Sequence, residues 1–267
     1  MSRLALIAGA GALPAALIAA LPERPLICAL DGFLPDGVAV DQVFRVERLA
    51  PFLRLLADRG ITQVVFAGAV RRPRLDPSLF DPQTAMLVPR LLAAMAQGDD
   101  ATLRAVIGLF EEAGFAVQGV DDIAPALLPG PGLLAGSLTA QDMADADRAA
   151  AIVAALGAVD VGQAAVVAQG LCLGVEVLSG TATLLASVAA LPPDLRPGPA
   201  RGLFYKAAKP GQDRRIDLPT LGVDTVDQAA AAGLGGIAFA AGEVICLDLP
   251  AIILRATGKG LFLWSRG

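Results

Sequence analysis

The sequence predicts an α/β protein: an N-terminal Rossmann-like domain on a mostly parallel sheet, then a second α/β or α+β domain. Three observations predict it. Short apolar runs of strand length alternate with amphipathic helical segments through the first half. The chain opens as strand, glycine turn and helix. A Pro/Gly-dense stretch, PALLPGPGLLAG near residues 126–137, then ends the alternation and reads as a linker, so the division is placed between residues 1–132 and 133–267.

The elements follow in order. The uncharged run from Leu4 to Pro22 is long enough to suggest a membrane or secretory segment, but Gly9, Gly11 and Pro14 interrupt it. LALIA reads as a buried strand and PAALIAAL as a helix with proline in its first turn. GAGALP is half of a dinucleotide fingerprint whose third glycine position is filled by Pro14, with Asp31 about where a ribose-binding acid would stand. Gly9 and Gly11 either permit a tight turn or expose helix N-terminal amides to a phosphate or sugar hydroxyl.

PLICAL and DQVFRV read as the next strands, APFLRLLADRG as a helix closed by Gly60, and ITQVVFAGAV as the fourth strand, with Arg71 and Arg72 following it where a phosphate could bind. LVPRLLAAMAQGDDATLRAVIGLFEEAG reads as two helices joined at Gly98, with Asp99 or Asp100 as N-cap. In the second half DMADADRAAAIVAALGAV is a helix, AAVVAQGLCLGVEVL, LFYKAA and IDLPT are strand-like, and VDQAAAAGLGG is a short helix. IAFAAGEVICLDL reads as a hairpin around Ala241 and Gly242.

Composition removes whole classes of function. The 267 residues are 55% hydrophobic and 18% charged with net charge −5, which describes a globular chain and argues against nucleic-acid binding. Cys28, Cys172 and Cys246 lie far apart in apolar runs and read as reduced core residues. There is no histidine, so Ser-His-Asp, Cys-His and His-zinc chemistry are unavailable. Acid–base work falls to carboxylates, lysines, the one tyrosine or metal-bound water.

Against this background the segment Lys206–Thr225, KAAKPGQDRRIDLPTLGVDT, concentrates two lysines, two arginines, three aspartates, a glutamine and two threonines around Pro210, Gly211, Pro219 and Gly222. Cations that neutralise phosphate beside carboxylates that hold a divalent ion or orient water are the parts of phosphoryl chemistry. Lys206, Lys209, Arg214 and Arg215 are the candidate cations, with both lysines expected on a polar wall near phosphate. Asp224 also suits an N-cap ahead of TVDQAAAA.

IAGAGALP, the central GDD, DVGQAAVV with GVE and SGT, KAAKPGQDRRIDLPTLGVDTV and AGLGGIAFAAG together resemble the LpxI family almost end to end. These are the UDP-2,3-diacylglucosamine diphosphatases of lipid A biosynthesis in Gram-negative bacteria. The resemblance implies a Mg2+-dependent hydrolase that yields UMP and 2,3-diacylglucosamine 1-phosphate. It also implies a homodimer, two domains with substrate between them, and a catalytic C-terminal domain. The reduced cysteines suit the cytoplasm, and with one tryptophan, one tyrosine and no basic amphipathic helix any contact with the inner membrane is expected to be peripheral.

By that resemblance Asp224, in the family's GxDT element, is the first choice for catalysis and metal binding. Asp213 and Asp217 are second choices, as metal ligands, with Asp213 the second metal candidate, or as acids orienting the basic residues. Candidate substrate contacts are Gly9, Gly11, Arg72, Asp99, Gln169, Gly170, Thr181, Lys206, Lys209, Gln212 and Thr225. The chain departs from the family's EGTD-like element, carrying Ser179, Gly180, Thr181 and Ala182 there, and leaves Glu176, Thr181 and Gln169 as polar groups in an apolar strand region. Two acyl chains would need an apolar groove, which suits the composition. The rival readings are a noncatalytic nucleotide-sugar or lipid carrier and a dehydrogenase using the opening turn.

Overall fold

The first strand, β1 (Leu4–Ala8), is buried at every position, as a strand covered on both faces must be. The computed structural model describes residues 3–71, 74–199, 201–215 and 217–267; Arg72 and the side chains of Asp99 and Asp100 lie outside the described residues. The N-terminal half continues with α1 (Leu13–Ala20), β2 (Leu26–Leu30), β3 (Gln42–Phe44), α2 (Leu49–Asp58) and β4 (Gln63–Ala67). After these come α3 (Pro82–Ala85), α4 (Val88–Met95), α5 (Asp99–Glu112), β5 (Ala116–Gln118) and α6 (Val120–Ile123). The second half holds β6 (Gly132–Ala135), α7 (Ala140–Gly157), β7 (Ala164–Ala168), β8 (Leu171–Val175), α8 (Gly180–Ala189), β9 (Leu203–Lys206) and β10 (Thr220–Leu221). It closes with α9 (Val223–Ala231), β11 (Gly236–Ala240), β12 (Ile245–Cys246), α10 (Leu249–Gly258) and β13 (Phe262–Arg266). The chain divides into two compact units, Met1–Ala126 with Asp213–Asp217, and Leu127–Gln212 with Leu218–Gly267.

In the N-terminal unit five parallel strands lie in the order β3-β2-β1-β4-β5, the doubly wound arrangement expected from the alternating pattern. Phe52, Leu56, Ile107, Phe110 and Phe115 fill its core. The strand order reverses between β1 and β4, where such sheets open a ligand crevice. Here the two following loops are instead joined backbone to backbone. Gly9 N–H donates to Ala67 O at 2.8 Å, and Ala10 and Ala69 exchange two bonds of 2.9 Å. A Cβ on Gly68 would stand 2.5 Å from Gly9 O, and one on Gly9 would stand 2.7 Å from Ala69 O, whereas one on Gly11 would meet open space. Gly68 also has φ +101° and Gly11 φ +91°.

Gly68→Ala therefore combines a left-handed backbone with a collision, and Gly11→Ala carries the backbone penalty alone, about 1–2 kcal/mol. The first should lower the melting temperature clearly more than the second; equal shifts would mean the two loops are not locked together.

The C-terminal unit is a mixed six-stranded sheet, β6-β13-β11-β9-β7-β8, with β9, β11 and β13 parallel and β6, β7 and β8 antiparallel to their neighbours. A parallel pair, β10 and β12, lies apart from it. Strand alternation sorts the residues by face. Ala164, Val166 and Phe204 join the core formed with Leu184, Leu185 and Val226, while Ala165, Val167, Leu203 and Tyr205 pack with Ala146, Ala149 and Val153 of α7.

Several expectations are corrected here. The stretch 126–137 is not all linker: Gly132–Ala135 forms β6 at a sheet edge, where a preceding proline is tolerated. Of IDLPT, Ile216 lies outside the described residues, Asp217–Pro219 are not strand, and Thr220 opens the two-residue β10. IAFAAGEVICLDL is no hairpin, since β11 pairs in parallel with β9 and β13 while β12 pairs with β10. The cap position of α5 falls on Gly98, not on Asp99 or Asp100. Cys172 is exposed on edge strand β8 rather than buried.

Candidate functional site

The clearest polar cluster of the C-terminal unit grows from the end of β9. Leu203–Lys206 is buried throughout, and Lys206 shares the sheet face of Phe204, so its alkyl stem continues the core while its ammonium emerges at the strand's carboxyl end. Lys206 is 5% exposed, a burial the expected polar wall does not allow for. Its Nζ donates to Thr181 Oγ1 at 3.0 Å and to Thr220 O at 3.2 Å. Thr181 Oγ1 donates in turn to Glu176 Oε1 at 2.9 Å.

The sheet register brings these groups together. Lys206 pairs with Ala164 from one side, and Glu176 N–H donates to Ala164 O at 2.8 Å from the other. Thr181 sits in the first turn of α8, not in a strand. Glu176 was visible in the sequence only as an acid ending an apolar run; Thr220 enters through its backbone carbonyl, which carries no side-chain signature.

Lys209 is held differently. Its Nζ pairs with Asp160 Oδ1 at 2.6 Å on the surface, and its N–H donates to Gln212 Oε1 at 3.0 Å. Asp224 and Thr225 lie in the first turn of α9, whose cap is Gly222. Thr225 N–H donates to Gly222 O at 3.1 Å, so Asp224 is not the N-cap. Its exposed carboxylate makes no hydrogen bond or ion pair among the described residues.

Gln169 and Gly170 form the two-residue turn between β7 and β8, both with positive φ. Their N–H groups donate to the fully buried Asp145 at 2.8 and 2.7 Å. Ala164 is the register partner of Lys206, and Gln169 lies five residues beyond it along the strand line. At the rise of a β-strand that separation is about 17 Å. The turn is thus built around Asp145, at the opposite end of the sheet from the Lys206 cluster.

The segment Asp213–Asp217 belongs to the N-terminal unit. Arg215 grips Asp213 with two bonds, Nε to Oδ1 at 2.9 Å and Nη2 to Oδ2 at 2.7 Å, and reaches Glu111 Oε1 at 2.6 Å. Hydrogen bonding to Arg215 holds the Asp213 carboxyl below its usual range against the opposing effect of burial, so it is ionised at neutral pH. Arg214 Nε donates to Asp121 Oδ2 at 3.0 Å. Asp217 closes this segment, and Gly9 and Gly11 occupy the turn after β1 in the same unit. Among the described residues no three His, Cys, Asp or Glu side chains gather in a position to hold a metal ion.

Comparison with known proteins covers both halves. The LpxI N-terminal domain family matches residues 3–127 and the LpxI C-terminal domain family residues 131–264. A Caulobacter vibrioides protein named UDP-2,3-diacylglucosamine pyrophosphatase LpxI is 37% identical over 273 residues, covering 98% of this chain and 97% of the relative.

Proposed function

Because the chain belongs to the LpxI family, we propose that it is a UDP-2,3-diacylglucosamine diphosphatase, a hydrolase of lipid A biosynthesis that releases UMP and 2,3-diacylglucosamine 1-phosphate. The observation that carries this reading is the extent of the match, which spans 98% of the chain and nearly all of a relative named for that activity. We assign the chemistry to the C-terminal domain, residues 133–267.

Hydrolysis of a phosphoanhydride forms a bond from water oxygen to phosphorus, breaks the bridging P–O bond, and leaves added negative charge on the departing phosphate. Lys206, a cation fixed by Thr181 and the Thr220 carbonyl, is suited to meet that charge. Asp224 has a carboxylate free, among the described residues, to accept a hydrogen bond from the attacking water and aim it. Asp213 is gripped by Arg215, which favours its role as an acid orienting the basic residues.

The donor chemistry fits Mg2+, which takes one or two carboxylates and completes its shell with phosphate oxygens and water, so a cluster of three protein acids is not required. Asp224 would hold it; when bound, Mg2+ supplies charge neutralisation at the diphosphate. No helix among the described residues is long and apolar enough to cross a membrane. We propose peripheral contact with the cytoplasmic face of a Gram-negative inner membrane, and a homodimer, to be checked by vesicle sedimentation and light scattering.

The deciding experiment incubates purified protein with UDP-2,3-diacylglucosamine and follows UMP. Release that requires added Mg2+ and stops with EDTA is the expected result. Binding without release would make the protein a carrier, and binding of a nicotinamide nucleotide instead would favour the dehydrogenase reading.

A further inference from the structure

Glu176 is 8% exposed, and its Oε2 is buried with no hydrogen-bond partner among the described residues. A buried carboxylate oxygen left unsatisfied is costly, and folds keep such groups chiefly where they serve a function. Its position is built in from both sides. The N–H of Glu176 is bound to Ala164 O, and the chain passes so close to Gly162 that a Cβ there would stand 2.0 Å from Glu176 O.

The other carboxylate oxygen is the one that acts. A threonine hydroxyl has a single proton. Thr181 gives that proton to Glu176 Oε1, which turns an oxygen lone pair toward Lys206 Nζ, 3.0 Å away. The anion thereby sets the direction of the hydroxyl, and the hydroxyl sets where the ammonium rests. With Thr181 reversed, its proton would face the ammonium and Lys206 would lose that acceptor.

We propose that Glu176 is a positioning residue of the hydrolytic site: through the Thr181 hydroxyl it holds the Lys206 ammonium at the carboxyl end of β9. The inference rests on the reading of Lys206 as the cation that meets charge on the departing phosphate. An ammonium with that task affects kcat more than KM, because the charge it meets is largest in the transition state.

The test compares Glu176→Met, Thr181→Val, Thr181→Ser and the double variant Glu176→Met/Thr181→Val with wild type, measuring kcat and KM for UMP release from UDP-2,3-diacylglucosamine together with the melting temperature. Methionine, unlike glutamine, leaves Thr181 no oxygen to donate to. Glu176→Met and Thr181→Val should each lose about ten- to a hundredfold in kcat, the size of a hydrogen bond to a charged group, with KM little changed. Thr181→Ser, which keeps the hydroxyl, should retain activity near wild type. The double variant should be no slower than the worse single one, because both changes cut the same chain.

Multiplying losses, full activity in Glu176→Met or Thr181→Val, or failure of Thr181→Ser in a folded protein would each overturn the positioning role while leaving the hydrolase reading intact. A wild-type protein that releases no UMP would overturn both.

Discussion

Asp224→Ala is expected to lower UMP release by at least about a hundredfold, the low end of what a positioned carboxylate contributes to proton transfer, while the protein still binds the lipid nucleotide. Uridine and the acyl chains contribute affinity away from the reacting phosphorus, so affinity and turnover should separate. The structure sharpens this expectation by removing the competing explanation. Asp224 is exposed and stands two residues inside α9, whose cap is Gly222, so alanine there removes no capping bond.

What remains to be lost is the attraction between a carboxylate and the positive end of a helix, about 0.3–1 kcal/mol. In a protein of this size that lowers the melting temperature by only a few degrees, roughly 1–4 °C. Turnover and melting temperature measured on one preparation decide the matter: near-normal turnover would remove Asp224 from the chemistry, and a large fall in melting temperature would show that the residue supports the fold.

The N-terminal sheet was legible because its strands are short, apolar on both faces and separated by amphipathic helices, a pattern few arrangements other than a parallel sheet can satisfy. The C-terminal sheet was harder for the same physical reason in reverse. Small and aliphatic residues recur in strands such as β7 and β11 and in its helices alike, so TATLLASVAA, which forms most of α8, has no distinguishing period. The turn at Ala241 and Gly242 looked like a hairpin because the sequence records a turn but not the sheet to which each arm returns.

The residues of the Lys206–Thr225 stretch stood out by composition, but their division did not: Asp213–Asp217 lies in one unit and Lys206, Lys209 and Asp224 in the other. Nor could spacing reveal that Glu176, thirty residues before Lys206 in sequence, is tied to it through one hydroxyl. That contact comes from the register of β7 between its two neighbours.

Lys206 and Lys209, three residues apart and indistinguishable in the sequence, should differ sharply when replaced. Lys206 is buried and directed by Thr181 and the Thr220 carbonyl, whereas the side chains of Lys209 and its partner Asp160 are 19% and 37% exposed. A surface ion pair of the second kind contributes about 0–1 kcal/mol, so Lys209→Met should fold normally. Its turnover should fall by less than about fivefold, since the ammonium is engaged by Asp160.

Lys206→Met keeps the buried stem and deletes the charge, and a lost charge-assisted contact of about 1.5–3 kcal/mol should slow turnover roughly ten- to 150-fold. The same change leaves Glu176 without the cation at the far side of Thr181, so the melting temperature should fall as well. Kinetics are therefore read well below the unfolding transition, where the loss in kcat persists if it belongs to the chemistry. Wild-type kinetics in Lys206→Met would remove the buried ammonium from the reaction, and an equally inactive Lys209→Met would move the phosphate-facing cation to the loop that follows β9.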